Sequence, residues 1–155
     1  MKYVFAVLIL VSLVFCSCNN DIVVKKTKRF DTKQWVFSSP LKADFAIEDK
    51  SQKYDIVYFI SHSDEYPFQN IYLRITDDFS GKINIDTLNI DLMSKNGFWK
   101  GEKNGDSYEY KIKLYDNFSF PENKNNFNIK IEEFTRQDTL KGILKTGIIV
   151  KKRNK

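Results

Sequence analysis

The chain has 155 residues, of which 42% are hydrophobic, 15% aromatic and 29% charged, and its formal charge is +5. That length suits one domain with a real core. Its 25 basic and 20 acidic side chains are interleaved, which excludes the one-sided basic face of a dedicated nucleic-acid binder. Two cysteines and one histidine form neither a CxxC pair nor a zinc pattern, so no metal and no cofactor is expected.

The first element is N-terminal. Lys2 supplies a positive start, Tyr3 to Phe15 is apolar but for Ser12, and Cys16, Ser17 and Cys18 close the run before Asn19, Asn20 and Asp21. A basic end, a short apolar stretch and small residues at a cut make a secretion signal. A bilayer-spanning helix takes about 20 apolar residues, and this run is shorter. A cysteine after a small residue at the cut resembles the bacterial lipoprotein signal, whose cysteine becomes the acylated N-terminus. Cys18 follows the small Ser17 and is read as the palmitate-bearing anchor; Cys16 follows the bulky Phe15. The alternatives are an ordinary secretion signal with an incidental cysteine, or an uncleaved apolar N-terminus. The expected organisation is a signal peptide over 1–17, a lipidated N-terminus and polar linker over 18–30, and a β domain over 31–152. Removing Lys2 leaves a charge of +4, from +5 less one. With Cys18 acylated no thiol remains for a disulfide, so packing alone must hold the fold. Lys25, Lys26, Lys28 and Arg29, and Lys151, Lys152, Arg153 and Lys155, form basic clusters at the ends. They are read as a solvated linker and tail, although the first would also favour anionic headgroups by about 1 kcal/mol per charge.

Trp35 and Phe37 predict a short opening strand that ends at Pro40. Leu41, Ala43, Phe45 and Ile47 alternate with polar positions, the period of a half-buried strand. Residues 54–61 are apolar on both faces and predict a central strand. Residues 70–76 alternate cleanly, with Ile71, Leu73 and Ile75 on one face and Tyr72, Arg74 and Thr76 on the other. Asp77 to Lys82 predict a hairpin turn. Ile83 and Ile85 start the return, and a change of phase at Asp86-Thr87 before Leu88, Ile90 and Leu92 predicts a bulge or two short strands. Residues 94–106 read as a loop. Tyr108, Tyr110, Ile112 and Leu114 give the clearest strand, Phe118 and Phe120 precede Pro121, and Phe127, Ile129 and Ile131 alternate again. Thr135 to Leu144 reads as a polar loop with room for one helical turn, and residues 147–152 close the chain. Short strands at this spacing, with aromatic residues throughout, predict an all-β antiparallel sandwich of about eight strands. Immunoglobulin-like and jelly-roll wiring are both compatible with the pattern.

Chemistry is sparse. His62 lies in Ser61-His62-Ser63-Asp64-Glu65, where sequence neighbours do not make a triad, and it reads as a solvent-facing or capping loop residue. Asp77-Asp78 and Asp64-Glu65 lack the spacing of a calcium loop and read as turn aspartates. No catalytic residue is assigned and no enzyme is expected. Trp99 has two readings: a loop anchor for a sugar or partner, or a side chain folded back to plug one end of the sandwich. Tyr66, Pro67, Phe68, Phe98 and Trp99 lie in loops, where binding residues concentrate, and are the candidate contact residues.

Several segments together carry a resemblance: the lipoprotein signal; Tyr66-Pro67-Phe68 with Asn70-Ile71-Tyr72-Leu73; Asp86-Thr87-Leu88; Gly97, Trp99 and Gly101; Phe120-Pro121; and Lys141-Gly142-Ile143 with Gly147-Ile148. In order and spacing these resemble the gliding-motility lipoprotein family GldH over nearly the whole chain. The family pattern has a further glycine where Glu102 and Lys103 stand, and a glutamine–methionine–arginine stretch at Glu133 to Arg136. The resemblance implies a non-catalytic, membrane-anchored lipoprotein of gliding Gram-negative bacteria. It implies a role in supporting the gliding and type IX secretion machinery, beside other gliding or secretion lipoproteins or envelope proteins. Asn19, in place of Asp, favours the periplasmic side of the outer membrane. The competing expectation is a lipid-anchored carbohydrate-binding β-sandwich built on Trp99, Phe98, Tyr66 and Phe68.

Overall fold

The structure, a computed structural model, describes residues 21–153. The signal over 1–17 and the anchor Cys18 lie outside the described residues. The described chain contains eleven strands in antiparallel pairing: β1 (Ile22–Arg29), β2 (Gln34–Val36), β3 (Leu41–Ala46), β4 (Tyr54–Ser63), β5 (Asn70–Asp77), β6 (Asn84–Asp91), β7 (Glu102–Asn104), β8 (Ser107–Phe118), β9 (Asn126–Glu133), β10 (Thr139–Lys141) and β11 (Ile143–Lys152). A five-stranded sheet, ordered β1-β11-β4-β8-β7, packs against a four-stranded sheet, ordered β3-β9-β5-β6, and β10-β2 form a short ribbon. The all-β sandwich read from alternation is therefore the fold.

The two inner faces make one core. Leu41, Ala43 and Phe45 of β3, Ile71, Leu73 and Ile75 of β5, and Phe127, Ile129 and Ile131 of β9 are buried. They meet Tyr54, Ile56, Tyr58 and Ile60 of β4 and Ile148 and Val150 of β11. β4 is central, buried along nearly its whole length, which is why its sequence lacks the alternation of one-sided strands. On its outer face Phe59 is buried too, because Gly147 of β11, its cross-strand neighbour, leaves room for the ring.

Four local readings are corrected. Residues 22–29, read as linker, form β1, paired along its length with β11. Only Val24 of that strand is buried, so the strand rests on ladder hydrogen bonds and carries no apolar alternation. Its lysines suit an edge strand, where charge discourages further pairing. The folded domain thus includes β1, upstream of residue 31. The 135–144 loop holds β10 and not a helical turn: Leu140 is opposite Trp35, and both are fully buried. The 94–106 loop contains β7 and a Met93–Trp99 bridge. Finally, β6 is continuous over Asn84–Asp91 in unbroken register with β5; the expected break at Asp86-Thr87 is absent. Its phase change arises because Ile85 lies on the outer face while Leu88 and Ile90 turn inward. Register shifts fall instead at the start of β1, at Ile143/Lys145 of β11 and at Tyr54–Val57 of β4.

Candidate functional site

The end of the sandwich where β4 finishes gathers most of the sequence-named residues. β4 delivers His62 to the inner face, opposite Tyr108 of β8 and Ile143 of β11. The chain then turns, with Tyr66 N–H donating to the Ser63 carbonyl at 3.2 Å. Gly142, at φ +79°, packs beneath that turn; a Cβ there would lie 2.6 Å from the Tyr66 nitrogen. No side chain fits so close to backbone, and the conformation is left-handed, so glycine is required on both counts.

The turn folds Tyr66 inward, where it is 2% exposed, and its hydroxyl donates to the Asn70 carbonyl at 2.9 Å. Burial, with the Glu133 carboxylate nearby, pushes its phenol well above the ordinary range. Tyr66 thus gives a partner no surface; its ring supports Phe68 edge-on at 5.8 Å. Pro67 is exposed and Phe68 is 39% exposed. Trp99 is half-buried, edge-on to His62 at 4.5 Å and tilted against Tyr108 at 6.3 Å, so it closes this end of the core. Phe98 beside it points away and is 74% exposed. The five candidate residues therefore divide into an outer set, Pro67, Phe68 and Phe98, and a supporting pair, Tyr66 and Trp99.

His62 is not a loop residue facing solvent. It is fully buried, with rings of Tyr66, Trp99 and Tyr108 around it. Nδ1 lies 3.1 Å from the Ser63 carbonyl, and Nε2 has no protein partner. Burial holds its pKa below the ordinary 6.5, against a smaller upward pull from the Ser63 carbonyl. Among the described residues no group of three His, Cys, Asp or Glu side chains could hold a metal. Below about pH 6.5 the unfolded chain binds a proton here that the folded chain resists. Stability is therefore full above that pH and falls as pH drops from about 6.5, at up to about 1.4 kcal/mol per unit. Denaturation at pH 7.5, 6.5 and 5.5 should show that slope, and His62→Phe should flatten it; an unchanged slope would remove His62 as its source.

Around the corner from Phe68, on the outer face of the four-stranded sheet, lies a groove of about 500 Å³ lined by Phe68, Tyr72, Thr87, Phe134 and Arg136 among others. Tyr72 and Phe134 are 43% and 42% exposed. Arg74 sits over the Phe134 ring at 4.9 Å, and its Nε donates to Glu132 at 3.0 Å. This groove offers flat aromatic surface and exposed guanidinium, the chemistry of recognition. Tyr72 was visible in the sequence as an aromatic on the polar face of an alternating strand. Phe134 and Arg136 gave no such signal, because they follow the last residue of β9 and only tertiary packing brings them to β5.

The geometry defines an all-β sandwich with an aromatic rim and groove at one end. The GldH lipoprotein family profile matches residues 22–150, from the start of β1 to near the end of β11. This chain belongs to the GldH lipoprotein family. It is 26% identical over 162 aligned positions to a gliding motility lipoprotein GldH homolog of Christiangramia forsetii, covering 98% of each chain. It is 22% identical to the gliding motility lipoprotein GldH of Flavobacterium johnsoniae, covering 96% of each chain. A chain from the structure of infectious bursal disease virus Gx strain aligns over 86% of this chain and 33% of its own length, at 10% identity and a TM-score of 0.31; a similarity that weak carries no argument.

Proposed function

We propose that this protein is a membrane-anchored gliding-motility lipoprotein, acylated at Cys18 after removal of residues 1–17. It works by contact and not by catalysis, supporting assembly or stability of the gliding and type IX secretion machinery from the periplasmic side of the outer membrane. Its partners on this reading are other gliding or secretion lipoproteins or envelope proteins, reached through Pro67, Phe68 and Phe98 on the scaffold of Tyr66 and Trp99. The observation that carries the reading is the family match across the folded domain, together with relatives of nearly equal length that are named for gliding motility. His62, enclosed by Tyr66, Trp99 and Tyr108, presents no imidazole to a substrate on this reading.

The test is Cys18→Ala, followed by palmitate labelling, gliding and adhesin secretion. Loss of label with loss of gliding is expected. Retained label would move the anchor to Cys16 or refute it. Lost label with normal gliding and secretion would overturn the motility role. The second reading, a lipid-anchored carbohydrate-binding module, is favoured by the groove of Phe68, Tyr72 and Phe134. It requires glycan binding at millimolar ligand, and an empty glycan array would count heavily against it.

A further inference from the structure

The chain enters the sandwich at one end and carries its aromatic rim at the other. Lys152 N–H donates to the Asp21 carbonyl at 2.6 Å, and Ile22 pairs with Lys151, so the backbone is fixed to β11 from residue 21 onward. β11 runs antiparallel to β4, and its Lys152 pairs with Tyr54, where β4 starts. His62, Tyr66 and Trp99 gather where β4 finishes. β4 is ten residues long, so at about 3.3 Å per residue the two ends stand about 30 Å apart. The turn between β5 and β6 lies at the entry end as well. Its Phe79 ring is 5.7 Å from Phe120, which is 5.4 Å from Tyr54.

With Cys18 acylated, the entry end is also the anchored end, and the inference rests on that reading. Three peptide steps separate Cys18 from Asp21, and an extended chain spans at most about 3.6 Å per residue. The fixed backbone of Asp21 therefore lies within about 11 Å of the acylated residue. The headgroup layer takes up about 5–7 Å of that reach. A packed sheet or helix is about 10 Å thick. So short a tether leaves no layer of protein between this end of the sandwich and the lipid.

The surface at this end suits that neighbour. Ile22 and Val23 are 50% and 41% exposed at the start of β1, and Ile83 is 76% exposed in the turn across the same end. Of the carboxylates here, Asp49 is taken by Lys152 and Asp78 by Lys124, Glu122 faces Lys50, and Glu48 is exposed. Lys53, Lys82 and Lys151 pair with no carboxylate among the described residues. Apolar side chains at the headgroup boundary, with lysines toward anionic lipid, hold a surface on a bilayer. A domain lying along β1 would bring Lys25, Lys26 and Arg29 to the lipid but lift Ile83 away, because β6 is at the sheet edge opposite β3, which lies beside β1. We propose that the entry end is a membrane-contact face for the bilayer that holds the anchor. Ile22, Val23 and Ile83 seat at the headgroup boundary, and Lys53, Lys82 and Lys151 meet anionic lipid. Pro67, Phe68 and Phe98 then face away from the membrane, about 30 Å above it, open to a protein partner.

The test uses the acylated chain in vesicles of phosphatidylethanolamine and phosphatidylglycerol, with a nitroxide on the lipid headgroup. A fluorophore is attached through Ile83→Cys, Phe98→Cys or Arg29→Cys, all at exposed positions where a substitution leaves the core intact. Palmitate labelling, lost in Cys18→Ala, establishes the anchor separately from the orientation. The fluorophore at position 83 should be quenched at least threefold more than at position 98 or 29. Lys82→Glu with Lys151→Glu should lower the quenching at position 83 at least twofold. An unchanged value would overturn the contact with anionic lipid. In an acylated chain, equal quenching at positions 83 and 98 would overturn the contact face while the anchor stands. Strongest quenching at position 29 would replace it with a domain lying along β1. A chain that takes up no palmitate would fail the anchor, and the contact face with it.

Discussion

Gly147→Ala should destabilise the domain by about 3 kcal/mol or more, at the upper end of what overpacking does. The residue lies in β11 between β1 and β4. A Cβ there would sit inside contact distance of the Lys26 carbonyl oxygen and of the Phe59 ring. The ring could rotate away, but the carbonyl belongs to backbone that β1 holds in register with β11. Relief thus requires β1 to move off the sheet, and Val24, its one buried side chain, to leave the core. The control is Gly97→Ala, where no atom lies within 4 Å and only the left-handed φ of +80° opposes a side chain. That should cost about 1–2 kcal/mol. Urea unfolding of both variants checks the contrast. Equal, small losses would mean that β1 yields freely and contributes little to stability.

Phe79→Ala should cost about 4 kcal/mol, typical for emptying a buried aromatic site. Phe79 is fully buried, although it belongs to the polar-looking turn after β5. Its ring centroid lies 5.6 Å from those of Phe45 and Tyr115, 5.7 Å from Phe120 and 6.4 Å from Phe127. These rings fill the end of the sandwich opposite His62. Asp77 fixes the turn that inserts the side chain. One carboxylate oxygen accepts Phe79 N–H at 3.2 Å, and the other accepts the Tyr115 hydroxyl at 2.7 Å. Phe79→Leu keeps most of the volume and should cost about 1–1.5 kcal/mol. Thermal or urea unfolding separates the two. A loss near 1 kcal/mol for alanine would mean that the neighbouring rings collapse into the space.

Wherever one strand face meets the core and the other meets water, the residue pattern was legible. β3, β5 and β9 alternate in the sequence as they alternate in burial. β1, β7 and β10 were harder, because each buries at most one side chain; β1 and β10 also pair with segments distant in the chain. The candidate site was half legible. Phe68 and Phe98 could be chosen as loop aromatics, but a loop position does not tell whether a ring faces out or in. Tyr66 and Trp99 look equally available in the sequence, and packing around His62 turns both inward.

The sequence by itself determined the all-β class, through period-two burial, and the family, through spaced glycines and aromatics that the whole chain carries. Gly142 illustrates why those spacings are informative: its place is imposed by the backbone of Tyr66 pressing on it. Only the tertiary structure decided which strands share a sheet, which edges are guarded, and that His62 is enclosed. Those properties depend on contacts between segments far apart in the chain, which local periodicity does not encode. β6 shows the difference most plainly. Its residues specify a strand, but its free edge exists only because β5 occupies one side and no strand of the described domain occupies the other.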